Sequence, residues 1–272
     1  MDHSLSTATT EVLYAVAEGV ATITLNAPQR MNTISGPMLG ALTRRLTEAN
    51  EDEAVRAVVL TGAGDRAFCA GLNLEAQQKG SDSISVGSGA GPTNLDLRNT
   101  PPTVLFAMDK PTICALNGSA AGYGMDLALG CDIRVMARGA KMAGAFVKRG
   151  VVPESGGTWI LPRLLGWSKA AELIFTGRTL GAEQCLEMGL VSHVVDAAAV
   201  ADKARALALE IAGNAPLAVQ AAKRMMRMGW SEPFDAHVHH VFLQLLPLMK
   251  SEDFREGIAS FLEKRPARFT GR

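Results

Sequence analysis

The sequence has no excess of charge of either sign: 27 Lys and Arg stand against 27 Asp and Glu in 272 residues. That balance excludes the broad basic field by which nucleic-acid binders displace counterions, and it leaves no polybasic stretch for a membrane surface. No apolar run approaches the roughly 20 residues needed to span a bilayer. The polar segment from Met1 to Thr10 has no apolar signal-peptide core. The four cysteines, Cys69, Cys114, Cys131 and Cys185, show neither C-x-x-C spacing nor a disulfide framework, so a reduced cytoplasmic protein is expected. A Walker sequence and a G-x-S-x-G nucleophile elbow are also missing. What is there is an ordinary globular composition, 47% hydrophobic and 20% charged, long enough for one large domain or two small ones. Glycine is the residue in excess, 27 in all, about one in ten against a usual ~7%.

Residues 12–17 and 20–25 read as two short strands around a Glu18-Gly19 turn. Ser35-Gly36-Pro37 reads as a helix start, a capping serine with proline in the first turn, ahead of an apolar stripe at Leu39, Leu42, Leu46 and Ala49. A buried strand over 56–61 ends in Gly62-Ala63-Gly64. Residues 80–92, rich in Gly and Ser, read as a surface loop or lid, and residues 1–10 as a mobile tail. There follow a helix over 94–108, a strand over 112–117, a glycine-rich turn over 118–124, a short apolar helix over 125–129 and a strand over 131–137. Beyond Gly156 the pattern predicts helices over 158–165, 168–175 and 182–188 and several between 200 and 264, with one strand signal at 191–195. Alternating strands and helices with an all-helical end predict α/β layers and a helical extension of the kind that serves assembly.

Two glycine-rich turns follow buried strands and lead towards helices: Phe68-Cys-Ala-Gly-Leu-Asn-Leu74 and Asn117-Gly-Ser-Ala-Ala-Gly-Tyr-Gly-Met-Asp126. Glycine admits close approach of a ligand to the backbone, and N–H groups at a helix start are unpaired donors that favour negative charge. Two such turns aimed at one point make an oxyanion hole; tight packing without a ligand is the plainer alternative. The Gly62-x-Gly64 pair fails as a dinucleotide fingerprint: position 67 is Ala, Phe68-Cys69 follows in place of a long helix, and no acid ends a following strand. Asp126 lies inside an apolar run, where a carboxylate is costly unless paired or used; it is a functional acid or a capping or ion-paired one. Glu154, in a turn just before a helix, is a second candidate, with a solvated capping role as the alternative. His237, His239 and His240 have no acid or cysteine at ligand spacing and read as part of a surface or assembly helix. Met225, Met226 and Met228 read as packing residues.

From about Val12 to Arg268 these segments together resemble the enoyl-CoA hydratase/isomerase (crotonase) superfamily. The resemblance runs through Gly19-Val-Ala-Thr-Ile-Thr-Leu-Asn-Ala-Pro-Gln-Arg-Met-Asn32, Ala67-Phe-Cys-Ala-Gly-Leu-Asn-Leu74, Lys110-Pro-Thr-Ile-Cys-Ala-Leu-Asn-Gly118 and Ala128-Leu-Gly-Cys-Asp-Ile-Arg134. It continues in Gly150-Val-Val-Pro-Glu-Ser-Gly-Gly-Thr158, Leu161-Pro-Arg-Leu164, Gly189-Leu-Val191 and Glu256-Gly-Ile-Ala-Ser-Phe-Leu-Glu-Lys-Arg265. It implies an α/β fold, a spiral of ββα units over 11–199, with a helical trimerisation region over 200–268, and a homotrimer or dimer of trimers. The implied ligand is an acyl-CoA thioester, with no separate cofactor because coenzyme A is part of the substrate. By position, the implied oxyanion donors are the backbone N–H groups of Leu72 and Tyr123; the second turn has Gly122-Tyr123-Gly124 where Gly-Gly-Gly is commoner. Implied substrate contacts are Arg30, Met31, Ala70, Gly71, Gly122 and Phe146, with Phe261 and Lys264 contributed by a neighbouring subunit.

The acids divide the possible reactions. Ordinary hydratases carry Glu at the position of Asp126, and their second catalytic Glu falls at Phe146, which counts against hydration by paired carboxylates. Glu154 matches the acid that peroxisomal-type enoyl-CoA isomerases place in this turn, and epoxyphenylacetyl-CoA isomerases have an Asp in a similar setting. The resemblance therefore implies a double-bond shift through an enolate, with Glu154 and Asp126 handling protons. Hydration, thioester hydrolysis or carbon–carbon cleavage on the same scaffold are the alternatives, as is a low-activity thioester-binding scaffold.

Overall fold

Strands β1 (Val12–Ala17) and β2 (Val20–Leu25) form an antiparallel hairpin. Its two turn residues, Glu18 and Gly19, both take positive φ, 53° and 77°, as a two-residue type I′ loop requires. The computed structural model describes residues 10–73 and 100–272; the expected loop over 80–92 and all but Thr10 of the expected tail lie outside the described residues. Helix α1 (Gly36–Glu51) starts as its sequence predicts, with the Ser35 hydroxyl accepting from the Met38 N–H at 3.2 Å. Its buried stripe is Met38, Ala41, Leu42, Leu46 and Ala49, while Leu39 is only half-buried.

From β2 onward the chain lays parallel strands into one sheet: β3 (Ala57–Gly62), β5 (Thr112–Leu116), β7 (Ile133–Ala137) and β10 (His193–Val195), giving the order β1-β2-β3-β5-β7-β10. Between these strands it dips into a second sheet of three-residue strands, β4 (Ala67–Cys69), β6 (Ser119–Ala121), β8 (Lys141–Ala143) and β9 (Thr179–Gly181). This repeated passage from the large sheet to the small one is the spiral. The small-sheet strands correct the sequence reading, which took β4 and β6 as parts of turns and allowed only one strand after Gly156. Three residues are too few to display a period-2 pattern.

Helix α2 (Pro101–Ala107) precedes β5, and α3 (Tyr123–Gly130), buried along its whole length, joins β6 to β7. After β8 come α4 (Gly157–Leu165), α5 (Trp167–Thr176) and α6 (Ala182–Met188). Helix α7 (Val200–Ala212) buries Val200, Ala204 and Ala208 and packs against β2, β3, β5 and β7, so the apolar core runs on into residues past 200. Helices α8 (Pro216–Met228), α9 (Phe234–Leu248) and α10 (Glu252–Glu263) follow. Helix α9 buries no residue, and Phe234 is 78% exposed, an apolar face of the kind that marks an interaction surface. The methionines need a correction as well: Met225 is buried, whereas Met226 is 73% exposed. Ahead of and within α9, His237 and His240 share one carboxylate, with Nδ1 atoms 3.4 and 3.0 Å from Glu232 Oε2. No helix among the described residues is long and apolar enough to cross a membrane.

Candidate active site

Parallel pairing of the short strands assembles the site. Strand β4 pairs with β6 and β6 with β8, all in one direction. Their carboxyl ends, Cys69, Ala121 and Ala143, therefore release three loops side by side, the place where parallel sheets offer ligand sites. The first loop is Ala70-Gly71-Leu72, the second Gly122-Tyr123 and the third runs from Gly144 through Glu154. Together Ala70, Gly71, Leu72, Gly122, Tyr123, Phe146 and Glu154 line one cavity of about 100 Å³. The sequence reading left open whether the two glycine turns meet, and they do. A Cβ built on Gly71, whose φ is +107°, would stand 3.1 Å from the Ala121 carbonyl oxygen and 3.8 Å from the Tyr123 nitrogen.

Two of the peptide N–H groups at this meeting point are uncommitted among the described residues. Around Leu72 the bridge to Ile34 uses the Gly71 carbonyl and the Asn73 N–H, at 2.8 and 3.0 Å. In the second turn Gly122 N–H donates to Ala143 O at 3.1 Å, and the Met125 and Asp126 N–H groups donate to Gly122 O. The N–H groups of Leu72 and Tyr123 have no partner among the described residues. Tyr123 is the first residue of α3, so its N–H belongs to the positive end of a helix dipole. Its ring is buried, and burial, with Cys69, Glu154 and Asp126 nearby, pushes the phenol well above its ordinary range. Cys69, beside the first turn, is pushed up to about 12 by burial and so is a neutral thiol, not a nucleophile.

The contact between β4 and α3 leaves no room at Gly124. A methyl group there would overlap the Cys69 carbonyl, which is backbone and cannot swing aside. Gly124→Ala should cost about 1–3 kcal/mol, the usual range for overpacking, and lower the melting midpoint by several degrees. A thermal scan that matches the wild type would mean the two turns are not held this tightly.

The two acids occupy different ground. Glu154 is exposed and lines the cavity. Asp126 is 1% exposed and sits behind that wall. Its Oδ2 accepts the Ser155 N–H at 3.2 Å, and its Oδ1 has no partner. Burial first, and the charge of Glu154 second, raise its pKa to about 7. Of the two alternatives to a working acid, the ion pair is missing among the described residues, while the one hydrogen bond Asp126 makes, from the backbone N–H of Ser155 just ahead of α4, is a local capping-type contact that leaves Oδ1 without a partner. Gly157 makes room for it, since a Cβ there would lie 2.5 Å from Asp126 Oδ1.

The remaining expected contacts are distributed around this centre. Arg30 is ion-paired to Glu11 at 2.7 Å and donates from Nε to Thr33 O, while its Nη2 has no partner. Met31 is 46% exposed, and its carbonyl accepts the Ala70 N–H at 3.0 Å, which abuts this pair on the first turn. Phe261 and Lys264 lie exposed at the end of α10 and are not on the wall of this chain's cavity. Sequence reading missed Arg149, Ala145 and Val151, which line the same cavity; their place beside Phe146, or between it and Glu154, was the available signal. A larger cavity, about 540 Å³, opens at the far ends of α3 and α4, lined by Phe106, Leu129, Ile160, Leu164, Met226 and Trp230 among others. Its acid, Asp132, is engaged by Lys223 at 2.7 Å and by Thr112, so it offers no free base.

The chain is similar to known proteins along nearly its whole length. Residues 15–272 match the family model for enoyl-CoA hydratase/isomerase. The chain is 37% identical over 261 residues to 1,2-epoxyphenylacetyl-CoA isomerase of Escherichia coli, covering 96% of this chain and 98% of that one. It is 34% identical over 261 residues to (E)-benzylidenesuccinyl-CoA hydratase of Thauera aromatica, covering 96% and 99%. The crystal structure of an enoyl-CoA hydratase from Bacillus anthracis superposes with a TM-score of 0.88 at 32% identity, covering 97% of this chain and all of that one. With the spiral of paired sheets, the meeting of the two turns and these likenesses along nearly the whole length, the chain is an enzyme of the enoyl-CoA hydratase/isomerase (crotonase) family.

Proposed function

We propose that the enzyme shifts a carbon–carbon double bond in an enoyl-CoA thioester through an enolate, with Glu154 as the base. One observation carries this reading: a single accessible carboxylate shares a small cavity with two uncommitted peptide N–H groups, and Phe146 lines that cavity too. The thioester oxygen accepts from the N–H groups of Leu72 and Tyr123, which acidifies the α carbon and stabilises the enolate. Each such donor contributes roughly 3–4 kcal/mol in comparable sites. Glu154 removes a proton from C2 of a 3-enoyl thioester, the electron pair delocalises onto the thioester oxygen and C4, and the carboxylic acid so formed returns the proton to C4. The product is the 2-enoyl thioester, and no atom is gained or lost. Asp126 orients the Glu154 turn through the Ser155 N–H and assists proton return.

Around this centre, Arg30, Met31, Ala70 and Gly71 would hold the CoA moiety, Gly122 and Phe146 the acyl group, and Phe261 and Lys264 of a neighbouring subunit would complete the CoA site. The unburied apolar face of α9 supports a homotrimer or dimer of trimers; light scattering that returns a monomer at micromolar concentration would contradict it. Hydration is the second reading, because relatives named as isomerase and as hydratase match at similar identity. The deciding experiment supplies 3-enoyl-CoA and 2-enoyl-CoA in deuterated water and identifies the products. Deuterium incorporation with a shifted double bond is expected. Addition of water to 2-enoyl-CoA without any shift of 3-enoyl-CoA would replace isomerase by hydratase. Calorimetry should also show tighter binding of the thioester than of the free acid, since the CoA arm supplies binding energy remote from the reacting carbons; equal affinities would remove the thioester reading altogether.

A further inference from the structure

We propose that Arg149 is a specificity-determining residue that seats a second carboxylate on the acyl group, so that the favoured substrates are CoA half-thioesters of dicarboxylic acids. This rests on the acyl-CoA reading of the cavity. Arg149 ends a 3-10 turn (Val147–Arg149) held by its own N–H to Phe146 O at 2.8 Å. Arg149 lines the cavity with Leu72, Tyr123 and Glu154. Nη1 donates to Ala145 O at 3.0 Å, and Ala145 lies on the same wall. A guanidinium has five N–H donors, and among the described residues Arg149 spends no other side-chain donor and makes no ion pair.

The surroundings argue for an anion. Most of the other lining residues are apolar: Ala70, Leu72, Ala121, Phe146 and Val151. Arg149 is an exposed residue, so a counter-ion seated between it and this wall gains a modest, salt-screened attraction. Glu154 is the other charged residue of the lining; it is not ion-paired to Arg149 among the described residues, and as the base it has to stay free. The CoA phosphates are not the counter-ion either. The whole pantetheine arm separates them from the thioester, whereas Arg149 shares a cavity of about 100 Å³ with the peptide donors for the thioester oxygen. The anion that fits is one carried by the acyl group, a few bonds beyond the reacting carbons. Planar, bidentate carboxylate recognition is what an arginine does better than a lysine.

The test is calorimetry on the full chain with two inert thioesters of equal length, glutaryl-CoA and valeryl-CoA, which differ by a terminal carboxylate against a methyl group. The wild type should bind glutaryl-CoA about tenfold more tightly, as a charge-assisted contact implies, with the preference shrinking as salt is raised. Arg149→Met should abolish the preference, and Arg149→Lys should keep part of it. A wild type without preference, an Arg149→Met variant that retains it, or one that loses affinity for both thioesters in equal proportion would each overturn the proposal and leave the acyl-CoA reading standing. Failure of the wild type to bind either thioester would instead defeat that reading, and this proposal with it.

Discussion

Replacing Glu154 by glutamine is expected to lower kcat for the double-bond shift by about 10²–10⁴-fold, the usual worth of a positioned base, while the affinity for a CoA thioester changes little. Glutamine keeps the shape and polarity of the side chain but cannot accept the α proton. Glu154 is exposed on the cavity wall and is not ion-paired among the described residues, so the substitution removes basicity without breaking a structural contact. Loss of kcat at unchanged binding is the signature of an interaction made only in the transition state. Exchange of substrate α protons with deuterated water should fall in parallel. Intact exchange and intact isomerisation in Glu154→Gln, with both abolished in Asp126→Asn, would reverse the assignment of the two acids.

Asp126→Asn should act on stability as well as on rate, and in a pH-dependent way. The carboxyl group ordinarily titrates near 3.8, and burial together with Glu154 raises it to about 7 in the folded protein. The folded state therefore holds this proton to higher pH than the unfolded chain does. Between about pH 4 and 7 the unfolded state binds fewer protons, so stability contributed at this site falls as pH rises and levels off above about 7. The gap corresponds to at most about 4 kcal/mol. Asparagine cannot ionise, still offers an oxygen to the Ser155 N–H, and turns its amide towards the unpartnered Oδ1 position. The variant should gain about 2 kcal/mol over the wild type at pH 8, roughly half of that ceiling, and nothing near pH 4. Thermal melts at the two pH values read this directly, and identical differences at both would refute the burial-driven shift. The wild-type pH–rate profile should have an inflection near 7 that Asp126→Asn lacks. The loss of rate should be smaller than for Glu154→Gln if Asp126 chiefly orients, although coupled acids need not give additive losses.

Much of the architecture was legible locally. The β1–β2 hairpin, the Ser35 cap and Pro37 start of α1, and the span of α6 follow from residues within a few positions of one another. So does the candidacy of Asp126 and Glu154, because a carboxylate in an apolar run and an acid ahead of a helix stand out wherever the chain later goes. The resemblance to the family rested on the same short motifs, and it named Leu72 and Tyr123 as a pair without showing that they meet.

Tertiary structure decided the rest. The small sheet, β4, β6, β8 and β9, left no periodic signal because each strand has three residues and its partner lies tens of residues away. Yet it is this pairing that aligns Leu72 with Tyr123 and brings Phe146, Arg149 and Glu154 to the same cavity. It also sets the difference between the two acids. Both are carboxylates in glycine-rich surroundings, but α3 carries Asp126 behind the wall, against Ser155 and Gly157, while the third loop leaves Glu154 open to the cavity. Residue type supplied the ionisable groups; desolvation and the distance to a neighbouring charge, which exist only once the strands have paired, raise the pKa of Asp126.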